Sequence, residues 1–226
     1  MPRTIAIDGP VGAGKTTIAK NLAESLGIQY LDTGAMYRAV ALKAIREKIS
    51  PYDADAVRHM LQKTEVSVRW KNGSQHTLLD GEDISERIRT PEISKAGSAV
   101  STHAFVREKM VALQRECARR TDMVLDGRDI GTRVLPGAAF KFFLNASPEM
   151  RAKRRYEELT ARGVDCDYQQ IYDDLMARDL QDTRRAVDPL RRAEDAIEID
   201  TTDLDLSGVL RKLLSVIEPD TDRGNA

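Results

Sequence analysis

Gly9-Pro10-Val11-Gly12-Ala13-Gly14-Lys15-Thr16 fits the pattern G-x-x-x-x-G-K-[ST]. The chemistry that pattern serves is the holding of a nucleotide polyphosphate. Its glycines let the backbone wrap a phosphate with N–H groups turned inward, and a helix beginning there adds partial positive charge at the same point. Lys15 is expected to bring a full charge to the β- and γ-phosphates, and the Thr16 hydroxyl to ligate Mg²⁺. With Thr17 in the next position, Gly9 through Thr17 form the expected ATP-binding set. A glycine-rich turn without a ligand is the competing reading. The strand pattern before the loop and the helix pattern after it, where the mechanism needs them, weigh against that.

A second requirement follows from the first. Phosphoryl transfer is mostly positioning and charge stabilisation, because two anions must be brought together. A nucleotide acceptor needs one set of cations for its phosphate and another that closes over the transferring group and keeps water out. Thr33, Arg38, Arg107 and Arg128 fall at the starts or ends of elements that follow strands, where open α/β sheets bind ligands. Arg151, Arg154 and Arg155 are adjacent or one helical turn apart, ahead of Thr160-Ala161-Arg162-Gly163, which reads as a hinged lid. Asp182-Thr183-Arg184-Arg185 is a third charged group, expected to follow a helix. A solvated helix face paired with Glu157 and Glu158 is the alternative for the lid arginines.

The elements that must position these residues are legible in outline. Short apolar runs predict strands over 4–8, 28–31, 123–126, 140–144 and 197–200. Helical spacing predicts helices over 15–26, 33–48, 53–63, 91–101, 104–120, 148–161, 168–180 and 204–216, with Gly27 ending the first and Pro148 opening the sixth. Strands separated by helices predict a parallel sheet with right-handed crossovers. Between them, Val66–Trp70 alternates with period two, Asn72-Gly73 is a hairpin turn, His76–Leu79 continues the pair and Asp80-Gly81 turns again. The tail 218–226 is polar and expected to fray.

The 226 residues carry 35 Lys and Arg against 36 Asp and Glu, a net charge of −1. No global basic field exists to hold a nucleic-acid backbone, so no nucleic-acid partner is expected. Cys117 and Cys166 lie far apart and fit no metal spacing, and His59, His76 and His103 form no cluster. No apolar run approaches the roughly 18 residues that span a membrane. The chain opens straight into a strand, so a cytoplasmic protein is expected. The absence of an apolar interface stripe makes a monomer the expectation.

Among phosphate-loop proteins, a GTPase needs an [NT]-K-x-D segment to read guanine, and none is present. A small chain with clustered arginines suits a small-molecule kinase. The segments Ala6-Ile7-Asp8-Gly9-Pro10, Leu31-Asp32-Thr33-Gly34-Ala35-Met36-Tyr37-Arg38, Asp126-Gly127-Arg128-Asp129-Ile130-Gly131-Thr132 and Arg184-Arg185-Ala186-Val187-Asp188-Pro189-Leu190 resemble the bacterial cytidylate kinases over nearly the whole chain. The second and third segments are far more specific than the phosphate loop.

The resemblance implies an α/β phosphate-loop nucleoside monophosphate kinase fold. It has a central parallel sheet flanked by helices, an antiparallel hairpin-containing insertion and an Arg-rich lid. Residues 1–32, 121–150 and 186–226 would form the core. Residues 33–120 would be the monophosphate-binding region, with the hairpin insertion at about 64–100, and 151–185 would be the lid. The implied reaction is ATP plus CMP or dCMP, with Mg²⁺. By matching position, Thr33, Arg38, Arg107 and Arg128 would hold or adjoin the acceptor phosphate. Ser98, Arg107 and Asp129 would face the cytosine edge, whose N4 donates and whose O2 and N3 accept. Tyr37, Asp182 and Arg185 would meet the sugar or the base rim. Arg151, Arg155 and Arg162 would clamp the γ-phosphate, so that Lys15, Arg128, Arg151 and Arg155 are the expected catalytic set. Val11 departs from the family's frequent Ser, and Thr33 keeps a hydroxyl where Ser is also common.

In-line transfer without a covalent intermediate is expected. For Asp8 two readings stand open: orienting waters of Mg²⁺, or accepting hydrogen bonds from N–H groups of the phosphate loop. Rival functions are a kinase for UMP, AMP or a non-nucleotide acceptor, and a nucleotide switch without turnover.

Overall fold

Strands β1 (Thr4–Asp8), β2 (Gln29–Asp32), β6 (Met123–Gly127), β7 (Phe140–Asn145) and β8 (Ile197–Asp200) pair in parallel, in the order β2-β6-β1-β7-β8. The computed structural model that shows this describes residues 2–218, so the tail expected to fray lies, Glu218 aside, outside the described residues. Every residue of β1 is buried, as a strand covered on both faces requires. Its side chains alternate between two cores: Ala6 packs with Leu31, Met123 and Leu125, whereas Ile5 and Ile7 pack with Val124, Phe142 and Leu144. The first core is covered by α2 (Thr33–Arg46), α3 (Ala54–Gln62), α4 (Pro91–Val100) and α5 (Ala104–Ala118). The second is covered by α1 (Lys15–Ser25) and α8 (Leu206–Ile217).

The insertion is an antiparallel sheet of β3 (Val66–Lys71), β4 (Ser74–Leu79) and the short β5 (Glu82–Asp83). Asn72 and Gly73 both take positive φ, 51° and 76°, as a two-residue hairpin turn that follows strand twist demands. Helices α6 (Pro148–Ala161) and α7 (Tyr168–Arg184) pack on each other around Ala152, Leu159, Ile171 and Leu175.

Most elements shift by a residue or two at their ends, and three departures stand out. Helix α7 runs on to Arg184 instead of stopping at Leu180, so Asp182 to Arg184 form its last turn. Asp182 is buried there and tied to Arg128 at 2.8 Å, which holds the turn that exposed, polar spacing does not announce. β2 extends one residue further, to Asp32, and Ile130–Val134 forms an unexpected π-helical turn.

Helix starts carry the logic of the site. Asp32, Asp53, Thr90, Ser147, Asp167 and Asp205 each cap their helix by accepting from a first-turn N–H. Helix α1 instead begins on Gly14, at φ 82°, with no side-chain cap, so its first-turn N–H groups stay available for an anion.

Phe142 is 1 % exposed and lies in the core beneath α1 and α8. Phe142→Ala is expected to destabilise the fold by about 3–5 kcal/mol, read from the midpoint of denaturant unfolding.

Candidate active site

Parallel strands point the same way, so the carboxyl ends of β1, β2 and β6 open at one edge, the usual crevice for ligands in such sheets. The phosphate loop leaves β1 there. Gly9 passes so close to β7 that a Cβ would lie 2.0 Å from the Leu144 carbonyl oxygen. Only glycine fits that approach. Gly12 and Gly14 turn the loop with φ of 78° and 82°. Pro10 and Ala13 are buried, Val11 is half-buried and Thr17 is exposed on α1. Lys15 is 6 % exposed and donates to the Pro10 carbonyl at 2.6 Å. Burial and the nearby Arg128 push its ammonium well below the ordinary lysine range, against the pull of Asp126, Asp182 and Asp8.

Thr16 donates its hydroxyl proton to Asp126 at 2.9 Å, and Tyr30 donates to the other oxygen of the same carboxylate at 2.7 Å. The Thr16 oxygen therefore keeps its lone pairs free beside a buried carboxylate. Burial first, then the charge of Asp32, raises the Asp126 carboxyl above its usual range, an imbalance that a cation would relieve. This oxygen pair fits a hard divalent cation. Asp126 went unremarked as a site residue, although an acid closing an apolar strand was a visible signal. Thr33 donates to the Asp126 carbonyl at 2.6 Å, tying the start of α2 to the end of β6.

The structure gives Arg38, Arg107, Arg128 and Arg185 each a carboxylate. Arg38 pairs with Asp32 at 2.7 Å, and Arg128 with Asp182 at 2.8 Å. Arg107, 1 % exposed, pairs with Asp129 and, at 3.1 Å, with Asp188. Arg185 reaches Asp129 at 3.3 Å and the Asp188 carbonyl at 2.6 Å. The Arg107 guanidinium lies 5.5 Å from the Tyr37 ring, and burial pushes that phenol up to about 12 in spite of the neighbouring positive charge. Ser98 is buried and accepts from the Gln181 carboxamide at 3.0 Å. Burial alone would raise Asp182, but Arg128 and Arg178 hold it below the ordinary carboxylate range.

Arg178 is not among the site residues expected from the sequence. It donates to Ser94 at 3.1 Å, and among the described residues its buried Nε has no acceptor. Burial first, then Arg128, with Arg38 and Arg155 adding to the repulsion, pushes its guanidinium down to about 10. Its signal, an arginine one turn before Asp182, was too common to single out. Asp179 and Asp188 were also unforeseen, because their partners lie far away in sequence.

The lid arginines divide. Arg151 is 5 % exposed and donates to the carbonyls of Ala146 and Val11, both at 3.0 Å, and to Asp179. It lies against the phosphate loop. Arg154 turns away to Thr201. Arg155 pairs with Glu158 at 2.7 Å, and Arg162 donates to the Arg89 carbonyl at 3.3 Å.

A family model described as cytidylate kinase matches residues 5–219. A cytidylate kinase of Caldicellulosiruptor bescii is 50% identical over 212 residues, covering 94% of each chain. One from Clostridium perfringens is 48% identical over 215 residues, 95% of this chain and 97% of its own. One from Bacillus subtilis is 45% identical over 215 residues, 95% and 96% respectively. The crystal structure of an uncharacterized protein from Eubacterium ventriosum superposes with a TM-score of 0.52 at 14% identity, covering 96% of this chain and 98% of that one, a likeness of fold alone. Among the described residues, no helix is long and apolar enough to cross a membrane.

The N–H groups that Asp8 holds are not those of the phosphate loop. Asp8 accepts from the N–H groups of Ile130 at 2.8 Å and Gly131 at 2.7 Å, and so anchors the turn after Arg128 and Asp129 instead of the phosphate loop. Burial outweighs those donors and raises its carboxyl to about 7. Between an unfolded value of 3.8 and that folded value, the native state holds a proton the unfolded chain has lost, so this contribution to stability falls as pH rises. Asp8→Asn is therefore expected to compare better with the unsubstituted protein at pH 8 than at pH 4.5, measured by denaturant unfolding at both. A difference independent of pH would refute the assignment.

Proposed function

The chain belongs to the cytidylate kinase family, and from that premise we propose that it transfers the γ-phosphate of ATP to CMP or dCMP, releasing ADP and CDP or dCDP. The observation that carries this reading beyond the phosphate loop is the gathering of Arg128 and Arg178 around Asp182, with Arg38 close to Arg178, at the carboxyl edge of the sheet. Mutual repulsion among guanidiniums is relieved by a bound dianion, which makes this the seat of the acceptor phosphate. Thr33 and Arg38, at the start of α2, border that seat.

Beside it, Arg107, Asp129, Arg185 and Ser98 are the groups that read the base. A carboxylate suits the donor N4 of cytosine, and guanidinium N–H groups suit its acceptors N3 and O2. Tyr37 lies under Arg107 and sets the height of that guanidinium. Asp182 and Arg185 border the sugar.

ATP is the donor, held by the N–H groups of Gly9 to Thr17 and the start of α1. Lys15 brings its positive charge to the phosphates. Thr16, backed by Asp126, would hold Mg²⁺, which supplies charge neutralisation across the transferring phosphates when bound. The acceptor oxygen is already anionic, so transfer requires no general base. What the protein supplies is alignment, positive charge and dryness. Arg128 spans the gap between the two phosphate seats. Arg151 fixes the lid against the loop, and Arg155 and Arg162 are free of deep burial and able to turn inward on closure. In this reading residues 151–185 move as the lid, 33–120 bind the monophosphate and the remainder is the core. A cytoplasmic, monomeric enzyme completes the proposal.

Coupled ADP release, with ATP and Mg²⁺ and with CMP, dCMP, UMP, AMP, GMP or buffer offered in parallel, is expected to show strong turnover with CMP and dCMP, weak turnover with UMP and almost none in buffer. Turnover with another acceptor would overturn the base-reading set, and equal ADP release in buffer would overturn the kinase.

Arg178→Ala is expected to raise the acceptor KM by roughly ten- to a hundredfold, the range for a lost bond to a charged group. Because the ligand-free protein loses a like-charge repulsion, its Tm should not fall. A lower Tm with an unchanged acceptor KM would make Arg178 structural.

A further inference from the structure

β2 is an outer strand of the sheet, so one row of its backbone groups has no neighbouring strand to bond. The insertion covers that row with side chains. Trp70 and Gln75 face each other across β3 and β4. The Trp70 indole N–H donates to the Tyr30 carbonyl at 3.0 Å. Gln75 Oε1 accepts from the Asp32 N–H at 2.6 Å, and Gln75 Nε2 donates to the Asp32 carbonyl at 3.3 Å. One carboxamide thus takes both backbone groups of one residue, as a further strand would. Thr77, itself buried, accepts from the same Nε2 at 3.1 Å and fixes the amide.

Asp32 is the residue on which the acceptor side turns. One of its carboxylate oxygens caps α2 at the Ala35 N–H, 2.9 Å away, and the other holds Arg38 at 2.7 Å. We propose that Gln75 is a positioning residue for the acceptor: by fixing the Asp32 peptide from the hairpin, it sets where Arg38 presents its guanidinium to the acceptor phosphate. The inference rests on the reading of Arg38 as part of the phosphate seat. It gives the insertion a task in catalysis distinct from covering a sheet edge, and it predicts that the hairpin is felt by one substrate only. Trp70 shares the edge but bonds Tyr30, two residues earlier, and provides the control.

The experiment is steady-state kinetics of the full chain, varying CMP and ATP separately, on Gln75→Leu, Trp70→Phe, Arg38→Ala and Arg38→Ala/Gln75→Leu, with a thermal melt of each. Gln75→Met carries the same test if Gln75→Leu does not fold. Loss of Gln75 is expected to raise the CMP KM about tenfold, with the ATP KM unchanged and kcat within about twofold. Trp70→Phe is expected to lower Tm and leave the CMP KM in place. In the Arg38→Ala background, Gln75→Leu should add nothing further.

Equal rises in CMP KM for Gln75→Leu and Trp70→Phe, or an equal rise in ATP KM, would reduce Gln75 to a general brace and overturn the proposal. So would a full additional effect on top of Arg38→Ala. If Arg38→Ala alone leaves the CMP KM unchanged, the phosphate seat has been misassigned, and the proposal fails for that separate reason.

Discussion

Guanidinium groups that must meet an anion have first to tolerate one another. That constraint organises the edge of the sheet where the ligands go. Arg38, Arg107, Arg128, Arg151 and Arg185 each have a carboxylate partner: Asp32, Asp129, Asp182, Asp179 and Asp129 again. Breaking such a partly buried pair leaves an uncompensated charge, so the side chains are held in place before any substrate arrives. The arrangement is preorganised in the sense that matters for phosphoryl transfer, where alignment and charge supply most of the rate. Arg178 differs: among the described residues no carboxylate lies within ion-pair distance of it, and burial beside Arg128 opposes its charged form.

The fold brings further acids to the same edge beside Asp32. Asp8 and Asp32 close β1 and β2, Asp126 lies one residue before the end of β6, and parallel strands deliver their ends to one place. Their tasks then separate by what each one faces. Asp32 caps a helix and holds Arg38; Asp126 takes two hydroxyl protons and leaves the Thr16 oxygen open; Asp8 anchors the turn that carries Arg128 and Asp129. Three acids at the carboxyl ends of neighbouring strands thus hold Arg38, the Thr16 hydroxyl and the turn that follows Asp129.

How much of this the sequence carries depends on the range of each interaction. The phosphate loop, the Asn72-Gly73 hairpin and the capped helix starts are local, and their residues announce them. The carboxylate partners are not local. Asp179 meets Arg151 across two helices, Asp188 meets Arg107 from 81 residues away, and Gln75 meets Asp32 from 43. Nothing in the spacing of any of them distinguishes a partner from a solvated surface group. The end of α7 shows the same limit. Its last turn is polar, and only the pairing of Asp182 with Arg128 reveals that it is folded inward. Asp8 shows the reverse error: its place beside the phosphate loop suggested a partner in that loop, whereas the N–H groups it accepts belong to a segment more than a hundred residues later.

Val11 joins these threads. Both polar groups of its peptide are taken by the lid side: its N–H donates to Asp179 at 3.3 Å, and its carbonyl accepts from Arg151 at 3.0 Å. The side chain plays no part in either bond, which is why valine can stand where a serine is frequent. The bonds also mean that the first half of the phosphate loop and the packed pair α6–α7 hold each other's backbone and side chains. An N–H that turns toward a phosphate must leave Asp179, and Asp179 then remains with Arg151 alone. The phosphate loop and the pair α6–α7 are thereby joined in one hydrogen-bonded unit.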